Sequence, residues 1–192
     1  APMTGNFTWR DEFDAPELQL GWMSVRVPRQ PWFDLTARPG QLTIQPLAEG
    51  LDTLKNPAFL ARRQQHLRFD ASIALDVPQA GTAAGIAAFQ SEQYWYFLGV
   101  RRAGEGAELF VEKRGGEAPA RVVASRAIAA GDALKLRISG DEGAYSFAFD
   151  AGGNGWQPLL ENDDGTILST DVAGGFVGAT LGPFARDERA RQ

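Results

Sequence analysis

The sequence contains no cysteine. Disulfides, thiolate zinc sites and a cysteine nucleophile are therefore excluded. It contains one histidine, His66. That rules out a two- or three-histidine zinc site and leaves little room for a Ser-His-Asp triad. No run of 18 apolar residues occurs, so no helix is expected to span a membrane. The first residues lack a basic region followed by an apolar stretch. Positive charge is in deficit, with 19 Lys and Arg against 24 Asp and Glu and a net charge of −5. Neither nucleic acid nor membrane is expected as a partner.

What is present suits one domain: 192 residues, 44% of them hydrophobic. Glycine (22) and proline (11) are in excess over a usual share of about 12%. They are scattered as punctuation, which predicts many turns and many short strands. A chain that opens Ala1-Pro2-Met3-Thr4-Gly5 is expected to be a piece of something longer. Residues 1–6 read as a leader or linker remnant, 7–185 as the folded domain and 186–192 as a charged tail that frays. The lack of cysteine fits a reducing compartment. Cytoplasmic location is the expectation, with periplasmic or secreted location the alternative.

Alternation is the dominant pattern. Leu67, Phe69, Ala71, Ile73, Leu75 and Val77 interleave with a mostly polar set, as one buried and one wet face require. Leu134, Leu136 and Ile138 form a second strand; Tyr145, Phe147 and Phe149 form a third. Gly140-Asp141-Glu142-Gly143 joins them as a hairpin. Residues 83–90 are nearly all apolar, as a strand covered on both faces would be. Further strands are expected near 42–44, 93–102, 109–113, 121–125 and 176–184. About a dozen strands at this spacing point to an all-β sandwich. Alanines in 118–130 offer a helix as the lesser alternative, without a sustained 3.6 period.

Three constellations could carry chemistry. Glu12, Asp14 and Glu17 stand in a Glu-x-Asp-x-x-Glu pattern, and retaining glycoside hydrolysis needs two carboxylates about 5 Å apart. Pro16 interrupts any strand there, so an acidic edge strand entering a loop is the preferred reading. The second is Arg62-Arg63-Gln64-Gln65-His66, which runs into the strongest strand. Unbroken alternation puts Arg63 and Gln65 on the face of Leu67 and Phe69. There they are either satisfied by internal hydrogen bonds or line a groove or docking surface. We expect both to be mostly buried and hydrogen-bonded. His66 reads as an ordinary hydrogen-bonded histidine rather than a base. The third is aromatic, Trp32-Phe33 and Tyr94-Trp95-Tyr96-Phe97. Core packing is the default, with Trp95 and Phe97, or Tyr94 and Tyr96, facing outward as the alternative.

These residues resemble a known family. Residues 7–13 with Asp14-Ala15-Pro16, then Leu35-Thr36-Ala37-Arg38-Pro39-Gly40, Asn56-Pro57-Ala58-Phe59-Leu60-Ala61 and Arg62-Arg63-Gln64-Gln65-His66 look like the C-terminal concanavalin A-like domain of family 43 glycoside hydrolases. Leu168-Ser169-Thr170-Asp171-Val172-Ala173-Gly174-Gly175-Phe176 matches its late signature. The resemblance implies a two-sheet antiparallel jelly-roll sandwich. It also implies that the cleaving acids of these β-xylosidases and α-L-arabinofuranosidases lie in a separate five-bladed propeller. The expected partners are then that catalytic propeller of the same parent polypeptide and a xylo- or arabino-oligosaccharide, with a homo-oligomer in the parent enzyme. Phe176 takes the place of a family phenylalanine that helps close the substrate pocket. Relatives continue into a final aromatic strand, whereas this chain gives Gly182-Pro183-Phe184-Ala185 and then charge.

The expectation is thus a non-catalytic accessory domain with no catalytic residue, metal ligand or cofactor of its own. Its site residues are Phe176, with the catalytic domain present, and Arg62, Arg63, Gln64, Gln65 and His66 as interface or groove candidates. The alternatives are an independent carbohydrate-binding module and a free-standing hydrolase using Glu12 and Asp14.

Overall fold

A computed structural model describes residues 7–131 and 133–191. They form β1 (Met23–Ser24), β2 (Phe33–Asp34), β3 (Thr43–Ile44), β4 (Ala58–Arg63), β5 (Arg68–Leu75), β6 (Thr82–Ser91), β7 (Tyr94–Ala103), β8 (Gly106–Gly115), β9 (Arg121–Ile128), β10 (Leu134–Asp141), β11 (Ala144–Ala151), β12 (Gln157–Asp164) and β13 (Thr180–Asp187). One short helix, α1 (Thr170–Ala173), lies between β12 and β13. The leader or linker remnant expected at residues 1–6 lies outside the described residues.

Seven strands form one sheet in the order β1-β4-β13-β6-β7-β8-β9, and four form another in the order β12-β11-β10-β5. A small hairpin, β2-β3, stands apart. The paired strands of both large sheets are antiparallel. The sandwich core lies between them. Ile86, Tyr96, Leu98, Val100, Leu109 and Val111 from the large sheet meet Leu134, Leu136, Ile138, Tyr145, Phe147 and Phe149 from the small one. The period-2 spacing in each strand puts these side chains on one face.

The large sheet is covered on its other face too. Phe59, Phe89, Trp95, Phe97, Phe110 and Phe184 form a second cluster there, under Leu51, Met23 and Val25. A third cluster holds Trp32, Leu47, Ala58 and Leu60 against Phe13, Leu18 and Trp22. The core reading of these aromatics holds for Trp32, Trp95, Tyr96 and Phe97, and the alternative of an outward pair in β7 does not. Trp95, Tyr96 and Phe97 are all fully buried, because β7 has a packed layer on each side.

The strand expected near 121–125 is β9, and the lesser alternative of a helix in 118–130 falls away. Two expectations are corrected. The strong alternation begins at Arg68, and Leu67 is 69% exposed. The cause is that β4 and β5 belong to different sheets, so residues 64–67 cross between layers and parity does not carry through. The final strand is present and runs through Asp187, so Arg186 is not part of a fraying tail; it is 4% exposed. Its ladder to β4 pairs Thr180 with Arg63, Leu181 with Arg62, Phe184 with Phe59 and Ala185 with Ala58. The pairing lapses between Leu181 and Phe184, where Pro183 has no N–H to give.

Candidate functional site

The loop between α1 and β13 carries the most exposed large side chain. Ser169 caps α1, accepting a hydrogen bond from the Val172 N–H at 3.3 Å. Gly174 and Gly175 follow with φ of 73° and 77°, a left-handed pair that an L side chain would strain. The chain reverses there and thrusts Phe176 into solvent at 105% relative exposure. Among the described residues no ring or cation stacks on it. Val177 beside it is half exposed.

The loop returns against the crossing segment 64–67. The Gln64 N–H donates to Ala179 O at 2.9 Å. The Gln64 side chain turns inward, where Tyr145 Oη donates to its Oε1 at 2.5 Å. Burial pushes the Tyr145 phenol pKa up, against the pull of that hydrogen bond. Tyr145 in turn stacks on Tyr96, with centroids 6.1 Å apart. Tyr96 Oη donates to Asp163 Oδ2 at 2.7 Å, and Lys113 Nζ donates to the same oxygen at 2.8 Å. Burial would raise the Asp163 pKa, but the hydrogen bonds from Lys113 and Tyr96 hold it below the ordinary carboxylate range. A chain of polar and ring contacts thus anchors the crossing segment to the sandwich core.

Arg62 lies on the opposite parity from Arg63. Its guanidinium sits over the Trp9 ring, 3.4 Å from the centroid. Gly21 lies alongside that group, since a Cβ there would stand 3.5 Å from Arg62 Nε and Nη2. Desolvation lowers the Arg62 pKa, partly countered by the charge of Asp11. Arg62 Nη1 is buried without a hydrogen-bond partner. Phe7 leans on His66, with ring centroids 4.6 Å apart. Arg63 and Gln65 are exposed, which overturns the expectation that they are buried. Arg62 and Gln64 are the half-buried pair instead, for the change of sheet already described.

The carboxylate pattern does not form an acid pair in a strand. Residues 7–14 are irregular, Phe13 has φ of 52°, and Glu12 and Asp14 are both exposed. Glu12 forms an ion pair with Arg10. Among the described residues no group of three or more His, Asp or Glu could hold a metal ion. Two exposed tryptophans are capped by cations, Trp9 by Arg62 and Trp156 by Arg137 at 4.4 Å. Neither Gln90 nor Trp9 stood out in the sequence, and Tyr145 stood out only as a strand residue. Gln90 stands as a single polar residue at the end of an apolar run, and Trp9 lies in a segment with no period.

The two stacked antiparallel sheets and their irregular N-terminal cover define a concanavalin A-like sandwich. Residues 10–192 match the β-xylosidase C-terminal concanavalin A-like domain, and the chain belongs to that family of family 43 glycoside hydrolase domains. It is 26% identical over 178 residues to a non-reducing end α-L-arabinofuranosidase of Bacteroides ovatus, covering 92% of this chain and 33% of that one. A GH43_12 structure retrieved from a capybara gut metagenome superposes with a TM-score of 0.89 at 26% identity, covering 95% of this chain and 35% of that one. The fold of a xylan β-1,4-xylosidase from Bacillus halodurans C-125 is similar, with a TM-score of 0.84 at 24% identity, over 98% of this chain and 38% of that one. The chain thus spans about a third of the length of these relatives.

Proposed function

We propose that this domain packs on the catalytic propeller of a family 43 glycoside hydrolase and closes its substrate pocket with Phe176. The observation that carries the reading is the Gly174-Gly175-Phe176 tip, where a fully exposed aromatic ring stands on a backbone turn that only glycines hold without strain. The acids that cleave the sugar come from the propeller, and this domain supplies position and water exclusion. The crossing segment, with Arg62, Arg63, Gln64, Gln65 and His66, is the surface the propeller covers. A xylo- or arabino-oligosaccharide is the substrate, and Phe176 touches the sugar beyond the scissile bond. The capped Trp9 and Trp156 rings count against an independent carbohydrate-binding module, which needs open aromatic faces.

The test is Phe176→Ala in the full-length hydrolase. Turnover of disaccharides is expected to fall by about 5- to 150-fold in kcat/KM, the size of a lost aromatic contact of roughly 1–3 kcal/mol. Small activated aryl glycosides should change far less. Equal loss on both substrates, or none on either, contradicts a role beyond the scissile bond.

A further inference from the structure

Phe176 is useful as a pocket wall only if its loop is held, and the loop has little packing of its own. Two exposed glycines precede Phe176, and Gly178 beyond has nothing within 4 Å of where a Cβ would stand. The fastening comes from another strand. Gln90 Nε2 donates to Gly174 O at 2.8 Å and reaches Val177 O at 3.4 Å. Those two carbonyls bracket Gly175-Phe176. One carboxamide therefore ties both ends of the two-residue tip, as a backbone hydrogen bond closes an ordinary turn.

The strand is built to aim that side chain. The β6 ladder to β13 ends at Phe89, paired with Thr180. On the β7 side, Phe89 pairs with Trp95 and Ser91 with Tyr94, so Gln90 is the extra residue of a β-bulge. Bulges redirect a side chain out of the pleat. The amide orientation is fixed, because a flipped carboxamide would set its oxygen against two carbonyls. The cost is visible at the other end: Gln90 Oε1 is buried with no partner. An apolar side chain would leave no orphan acceptor there, so stability alone does not explain a glutamine at this position.

We propose that Gln90 is a positioning residue that clamps the Phe176 tip in the orientation used against substrate. The inference rests on the reading of Phe176 given above. It is tested in the full-length hydrolase with Gln90→Met, which keeps the bulk and removes both donors. The thermal midpoint is expected to stay level or rise. Amide exchange in the peptide covering residues 172–179 should quicken by about 5-fold or more as the loop opens locally. The kcat/KM for disaccharide should fall by about 5- to 50-fold, within the range set by losing Phe176, with aryl glycoside turnover changed less than about 2-fold. In a Phe176→Ala background, Gln90→Met should add nothing, because contacting or coupled residues are not additive. Gln90→Leu also loses the donors without adding a charge and is expected to repeat the result, which covers any failure of Gln90→Met to fold. Wild-type exchange and wild-type disaccharide turnover in the folded variant would overturn the clamp. If Phe176→Ala itself leaves disaccharide turnover intact, the pocket reading falls, and the exchange arm still decides whether Gln90 holds the loop.

Discussion

Arg186 on the last strand ion-pairs with Glu112 on β8, across the two intervening strands β6 and β7. Both side chains are nearly buried, at 5% and 11% exposure. The guanidinium carbon lies 5.3 Å from the Phe97 ring centroid and 5.9 Å from that of Phe110. The two rings that flank the guanidinium lie over Gly99, which pairs with Gly85 across β6 and β7. A Cβ on Gly99 would fall 2.6 Å from the Phe110 ring and 2.7 Å from that of Phe97. Arg186 also donates to Glu188 at 2.9 Å, so the end of β13 is fixed twice.

Removing Arg186 should therefore be severe. Arg186→Ala strands the Glu112 carboxylate in an apolar setting, and breaking a buried pair in this way costs about 3–5 kcal/mol. Replacing both partners together, Arg186→Met with Glu112→Leu, should recover much of the loss. Urea midpoints of the single and double variants provide the measurement. A single variant within about 1 kcal/mol of the parent would mean that the pair is not buried as described.

Gly182 and Gly178 make a matched pair for stability. A Cβ at Gly182 would lie 1.9 Å from Leu60 O and 3.0 Å from Ala61 Cα, both backbone atoms that cannot swing aside. Gly182→Ala must part β13 from β4 and should cost several kcal/mol or prevent soluble folding. Gly178→Ala meets nothing and should stay within about 0.5 kcal/mol. Equal thermal midpoints for the two variants would contradict the close approach of β13 to β4.

Acid should weaken the protein through Asp163. Its folded-state pKa lies below the ordinary value, with burial opposed by the bonds from Lys113 and Tyr96. A depressed carboxylate contributes stability above the unfolded pKa, near 4, and loses it as the pH falls through the lower folded value. The Tyr96 and Tyr145 phenols are shifted the other way, upward, mainly by burial. Their share is complete below about pH 10, the unfolded value, and is lost as the pH rises further. Urea midpoints from pH 7 down to pH 3 should fall less in Lys113→Met than in the parent, because that variant has already lost the bond. Parallel pH profiles for the two proteins would show that Asp163 is not the group responsible.

Most of the sandwich was legible in the sequence because strands with one wet face announce themselves. Phe69 to Leu75, Leu134 to Ile138 and Tyr145 to Phe149 alternate cleanly, and each is a core strand. β12 was not legible, since Gln157-Pro158-Leu159-Leu160-Glu161 has no period of two and its register to β11 shifts. The outer layer was hidden for another reason. Trp32, Leu47 and Leu51 come from a segment with only three two-residue strands, and irregular chain packs without periodicity. Phe176 was singled out by the likeness of residues 168–176 to the family's late signature, since Gly174-Gly175 alone suits a turn into the core as well as an exposed tip. Gln90 was not, because a bulge is a property of two paired strands and leaves no mark in either one alone.

The parity of the Arg62-Arg63 pair gives the last prediction. Alternation carried back from Phe69 put Arg63 inside, and the change of sheet at residues 64–67 reverses that. Arg62 shares the face of Ala58 and Leu60, which pack in the cluster around Trp32. Its guanidinium lies on the Trp9 ring, with Gly21 beside it. Arg62→Ala should lose a partly desolvated cation–π contact and the packing of the side-chain stem, about 1–2 kcal/mol. Part of that loss is offset, because the variant also removes the orphan Nη1. Arg62→Lys should not restore the contact, since a compact ammonium cannot lie flat on the indole as a planar guanidinium does. Arg63→Ala, on the exposed side, should stay within about 0.5 kcal/mol. Denaturant midpoints for the three variants decide the matter. A larger loss for Arg63→Ala than for Arg62→Ala would return Arg63 to the interior and undo the crossing of residues 64–67 between the sheets.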